Sequence, residues 1–296
     1  MSFKKPSAVL RDANISFPGL SGILAPVDAR PRHTDTMEML SASVKIGYKK
    51  RPAGNYPTNA MKGAVLQGCQ TAQKILAHSA NCLFKVVALR QDEPDILTQV
   101  LHKHFHLSPA PTDDGGGMLS SNIKNKSFAL SDLGKNDRRW VIEHIRRQFL
   151  HLSFHLNTGV YVIDTDDDFR LTEVNGSPRT PGTNQGEEAY VRLPKSHKSN
   201  SRACGFRNGE IHVNLQLLQP YTRLSYARVI IHEAVHKFLE IGDIFYAHSS
   251  SYSGLSLSKC LINPDCYAWS AVSLFADRVL MGSTADESKH WDHAPG

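Results

Sequence analysis

The sequence predicts an α+β fold, mainly helical, with a small mixed or antiparallel sheet beside one central helix. Three observations predict it. Apolar residues recur at helical spacing over long stretches of the chain from Ala60 onward. Short apolar runs of strand length lie between polar or Gly/Pro-bearing segments. One helical stretch carries Ile231-His232-Glu233-Ala234-Val235-His236, in which two histidines four residues apart share a helix face.

The elements follow in order. Residues 1–58 carry prolines at 6, 18, 26, 31, 52 and 57 without sustained periodicity, so an irregular N-terminal arm is expected. A domain is expected over 59–283 and a polar tail over 284–296. Residues 60–89 predict a helix on Ala64, Val65, Ala72, Ile75 and Leu76. Residues 93–107 predict another on Ile96, Leu97, Val100, Leu101 and Phe105. Its His102, His104 and His106 alternate and do not share a face, so they read as surface histidines. A Pro/Asp/Gly-rich loop over 108–121 centres on Gly115-Gly116-Gly117. Residues 135–156 predict an amphipathic helix with Trp140, Ile142, Ile145, Phe149, Leu152 and Leu156. Its His151 and His155 read as a packed or surface pair, because no acid lies between them.

Gly159 to Asp164 predicts a strand. Asp164, Asp166, Asp167 and Asp168 lack the glycine and glutamate of a calcium loop and read as a solvated turn. After a polar stretch over 173–185, strands are expected near 189–193 and 210–218. The central helix is marked by Leu224, Ala227, Ile230, Ile231, Ala234, Val235, Phe238 and Leu239. Thr222 or Ser225 would cap its start, and Gly242 its end. A last helix is expected over 267–281 with Trp269, Val272, Phe275 and Val279.

Composition narrows the function classes. A chain of 296 residues with 41% hydrophobic content can bury a real core. The net charge of +6 is spread over scattered Lys and Arg with no nucleic-acid module, so no nucleic-acid partner is expected. No stretch has the length of a membrane-spanning helix. Met-Ser-Phe-Lys-Lys-Pro-Ser lacks the apolar segment of a secretory signal. The expectation is a chain made in the cytoplasm and exported, if at all, by a signal-independent machine, with a secretion-machine or inhibitor partner conceivable. The five cysteines, Cys69, Cys82, Cys204, Cys260 and Cys266, are odd in number and show no C-x-x-C spacing, which leaves their pairing open.

The histidine motif carries the chemistry. His232 and His236 can reach one zinc ion, and Glu233 between them is the residue type that accepts a proton from water in zinc hydrolases. A third protein ligand is needed. The positions three and six past His236 are Leu239 and Gly242, and the only glutamate after Glu240 is Glu287 in the tail. Asp243 remains, next to Gly242 where the chain can turn back. His248 is the rival.

From Glu240 through Gly242, Asp243 and Tyr246 to Ala247, the chain resembles the turn that follows H-E-x-x-H in the aspzincins, the deuterolysin and peptidyl-Lys metalloendopeptidase family. Cys260-Leu-Ile-Asn263-Pro264-Asp265-Cys266-Tyr267-Ala268 is similar to their downstream N-A-D-x-Y segment. The resemblance implies a zincin-like fold, a Zn2+ cofactor held by His232, His236 and Asp243, catalysis by Glu233 with Tyr246 stabilising the oxyanion, and a protein or peptide substrate. It also implies substrate binding near Asp265 and Tyr267, with preference for lysine as one outcome; two further readings of Asp265 stay open, that it orients a zinc-ligating histidine and that it caps the helix starting near Tyr267. Ala268 stands where the lysine-specific branch has a glutamate. Two other functions remain open: a cell-wall peptide amidase delivered as an effector, and a partner-binding module with an inert zinc site.

Overall fold

The structure, a computed structural model, describes residues 36–48, 55–107, 137–164, 188–191 and 210–281. Among them the architecture is mixed: packed helices beside one five-stranded sheet of order β1-β2-β3-β5-β4. The strands are β1 (Thr36–Ser41), β2 (Val44–Tyr48), β3 (Val160–Asp164), β4 (Ala189–Tyr190) and β5 (Glu210–Val213). The two inner pairings, β2 with β3 and β3 with β5, are parallel, and the two edge strands are antiparallel to their neighbours. Every residue of β2 and β3 is buried, as expected for strands covered on both faces.

The first two strands correct the expectation of an irregular arm over 1–58. Met37, Met39, Val44, Ile46 and Tyr48 supply a hairpin that the surrounding prolines obscure. Its second strand has nothing polar to bury except Lys45, whose ammonium lies over the Tyr161 ring. The loop over 108–121, Cys204, Asp166 to Asp168, the stretch 173–185 and the tail 284–296 lie outside the described residues.

Helix α1 (Asn59–Val87) begins where Thr58 accepts the Met61 amide, and it packs against α3 (Asp137–Thr158) and the central helix α5 (Arg223–Leu239). Gly68 makes that approach possible, because a Cβ there would lie 2.4 Å from Tyr226 Cδ1. Helix α2 (Asp95–Phe105) buries Leu97, Val100, Leu101, His104 and Phe105 along one stripe. His104 therefore faces the core and is not a surface histidine. Tyr252 Oη and Ser273 Oγ meet its two ring nitrogens at 3.1 and 3.3 Å, and burial pulls its pKa down to about 3. The pair His151 and His155 is packed as expected, with His155 stacked on Phe238. Asp164 is buried at the end of β3, where it accepts the Tyr56 hydroxyl, so it is not part of a solvated turn.

The run expected as one strand over 210–218 divides. Asn214 ends β5 and caps the short helix α4 (Leu215–Leu218) by accepting the Leu217 amide at 2.9 Å. A one-turn helix, α6 (Leu257–Cys260), precedes the last helix, α7 (Pro264–Phe275), which starts and ends earlier than periodicity indicated. Pro264 occupies its first turn, where a missing N–H costs nothing. No helix among the described residues is long and apolar enough to cross a membrane.

Candidate metal centre

Helix α5 positions two of the candidate ligands. Thr222 caps its start by accepting the Ser225 amide at 3.2 Å. Nearly every residue from Leu224 to His236 is buried among α1, α3, α7 and the sheet. The helix stops at Leu239, and Glu240, not Gly242, takes the left-handed position with φ 56°. Only Glu240, Ile241 and Gly242 separate the helix end from Asp243, which comes back alongside the histidines.

The side chains converge. His232 Nε2 and His236 Nε2 lie 3.0 Å apart, and Asp243 Oδ1 is 3.2 Å from each. Four ligands at about 2.0–2.1 Å around a tetrahedral zinc have edges of about 3.3–3.4 Å, so these three atoms, slightly closer together, outline one face of such a site. His232, His236 and Asp243 could hold a metal ion.

The remote ring nitrogens decide what the inner ones can offer. His232 Nδ1 donates to Asp265 Oδ1 at 2.7 Å, and His236 Nδ1 donates to the Ile241 carbonyl at 2.6 Å. A carboxylate and a carbonyl only accept, so each neutral ring carries its hydrogen on Nδ1. Both Nε2 lone pairs then face each other and an anionic oxygen. Three electron pairs at this distance repel unless a proton or a metal cation sits among them.

The electrostatics reflect that demand. Burial opposes charge on His232, but Asp243 and Asp265 outweigh it and hold the imidazole up at about pKa 10. Burial likewise opposes charge on Asp243 and Asp265, yet their imidazole partners hold both carboxyls below the usual carboxylate range. Glu233 behaves oppositely. Burial raises it to about 6, more than the nearby imidazoles lower it. Its Oε2 is buried with no hydrogen-bond partner among the described residues, an orphaned acceptor beside the imidazoles.

The loop carrying Asp243 is tied to the start of α7. Asn263 accepts the Ile244 amide at 3.2 Å and donates to the Phe245 carbonyl at 2.9 Å. Asp265 accepts the Ala247 amide at 2.6 Å on its second oxygen. In the sequence Asn263 stood only as part of the segment resembling N-A-D-x-Y, with no role of its own. The signal available was a polar residue directly before a buried proline-led helix.

Two sequence expectations are corrected. Asp265 is 3% exposed with both oxygens engaged, so it orients His232 and lines no open substrate pocket. Tyr267 is fully buried, donates to the Leu261 carbonyl and packs edge-on against Phe105 and Phe149, so it belongs to the core. His248 is exposed and stacks on Tyr246, apart from the converging donors. Tyr246 is half-exposed, stacks on His232 and donates to Asp243 Oδ2 at 3.0 Å. Compared with protein-family models, curated proteins and solved structures, the chain matches none.

Proposed function

We propose that the chain is a zinc-dependent metalloendopeptidase with a zincin-like fold, built on His232, His236 and Asp243. The observation that carries this reading is the triangle of His232 Nε2, His236 Nε2 and Asp243 Oδ1, in which each imidazole's remote Nδ1 and the carboxylate's Oδ2 are already engaged. Its edges suit zinc, and two imidazoles with one carboxylate leave a fourth position for water or substrate. Zinc at such a site supplies Lewis acidity, polarising a carbonyl and making water a nucleophile at neutral pH.

The protein's own groups do the rest. Glu233, raised toward neutrality by burial and short of a partner, takes the proton from the attacking water and returns it to the leaving amine. Tyr246 presents its hydroxyl at the open side of the site, where it can turn to the oxyanion. Asp265 keeps His232 in the tautomer that offers Nε2 outward. Among the described residues β4 is an edge strand that contacts α5, and an extended peptide could add along that edge. Preference for lysine would have to come from residues other than Asp265 and Ala268, which are both buried.

The test is digestion of an unfolded protein mixture, with new termini read by mass spectrometry, for the parent and Glu233→Gln, alongside zinc content. New termini with the parent only, at equal zinc content, are expected. Equal activity of Glu233→Gln sinks the catalytic assignment. Fragments released from purified peptidoglycan, with no protein cleaved, would choose the amidase instead.

A further inference from the structure

We propose that Tyr246 and His248 form a stacked arm that restrains Asp243 to bind metal through one oxygen, which makes both of them positioning residues of the metal centre. The inference rests on the metal-binding reading above. Asp243 turns Oδ1 to both imidazoles, while its Oδ2 accepts the Tyr246 hydroxyl at 3.0 Å. No other hydrogen bond reaches this carboxylate among the described residues, and its side chain is 36% exposed. With the phenol in place Oδ2 is engaged. Without it, rotation about the last side-chain bond brings both oxygens to the ion.

The difference matters chemically. A carboxylate bound through both oxygens occupies the position that a hydrolytic zinc keeps for water or substrate. A phenol also has a single O–H. The hydroxyl therefore serves Asp243 until it turns to a substrate oxyanion, so ligand geometry and oxyanion binding draw on one hydrogen.

The arm is held by stacking. The Tyr246 ring lies nearly parallel to His232, with centroids 5.9 Å apart and planes at 15°. The His248 ring is also stacked on Tyr246, with centroids 5.6 Å apart and planes at 3°. Tyr246 is 46% exposed and lies on a loop, so the packed core alone does not fix its rotamer. His248 adds a second ring contact that restrains it. Offset aromatic pairs of this kind contribute beyond the area they bury.

The experiment uses the full chain as parent, Tyr246→Phe, His248→Ala and His248→Phe, each checked for native circular dichroism. Zinc affinity is measured by competition with a chelator, and coordination by the visible spectrum of the cobalt(II)-substituted protein. Tyr246→Phe keeps the stack and removes the hydrogen bond. It is expected to weaken zinc about 10-fold, the scale of losing a group that orients a ligand, and to weaken the visible cobalt bands as the coordination number rises. His248→Ala should move both readouts the same way by a smaller factor, and His248→Phe should restore them. Unchanged affinity and spectrum in Tyr246→Phe overturn the proposal, whatever happens to turnover. Parent-like behaviour of His248→Ala removes His248 from it. A parent that binds neither metal overturns this inference and the proposed function together. A parent that binds zinc but cleaves nothing sinks only the peptidase, and the affinities still decide the arm.

Discussion

His232 sits between two carboxylates, and its protonation sets how the metal-free site responds to pH. Its folded pKa of about 10 lies above an unfolded value of about 6.5. The stability it contributes is therefore fully present below about pH 6.5 and lost as pH rises through about 10. Asp243 and Asp265 act at the other end. Their depressed values contribute stability above about pH 4 that is lost as pH falls through them. Melting temperatures of the chelator-treated protein should fall on both sides, and the alkaline fall should flatten in His232→Asn. Zinc must displace the His232 proton, so binding between pH 7 and 9 should release at least one proton, with ionisation of a bound water adding to it, visible by calorimetry in buffers of different ionisation enthalpy. Zero release would contradict the assigned ligand. Asp265→Asn should weaken zinc about 10- to 100-fold by loosening His232, measured by chelator competition. A variant with parental affinity would return Asp265 to a purely structural role. At this scale the two histidines and Glu233 were legible from spacing alone, because a helix converts a four-residue interval into a shared face. For Asp265 the sequence offered pocket, orienting and capping roles without choosing among them, since it lies 33 positions from His232.

Among the elements, α1 packs closely against α5, the helix that carries His232 and His236. Gly68→Ala would press a methyl into Tyr226, which is buried and cannot swing away, and should cost about 1–3 kcal/mol. Gly63→Ala on the same helix meets nothing within 4 Å and should gain up to about 1 kcal/mol from helix propensity. Denaturant unfolding of the pair checks both signs, and equal effects would mean that the close approach is not needed. The helices were largely legible because each carries an apolar stripe over several turns. His104 was misread from its alternation with His102 and His106, although Leu97, Val100, Leu101 and Phe105 place it on the buried stripe. The hairpin of β1 and β2 was missed because five- and six-residue strands leave little periodicity to count among prolines.

Across the whole molecule, the site joins the end of α5 to the start of α7 through the loop that carries Asp243. A metal bound by groups from α5 and that loop should stabilise the fold by mass action, about 2.7 kcal/mol at a free concentration 100 times the dissociation constant. Chelation should lower the melting temperature, and zinc titration should restore it. A melting temperature indifferent to zinc would mean that the loop is held by Asn263 and Asp265 alone. The sequence by itself determined the helical class, the shared face of His232 and His236 on α5 and the candidacy of Asp243, because these depend on local spacing and on which residue types remain. Only the tertiary structure decided the mixed order of the sheet, the burial of His104 and Tyr267, and the use of Asp265 to orient His232. Strand order and buried hydrogen bonds depend on which distant segments pack together, and local spacing carries no record of that.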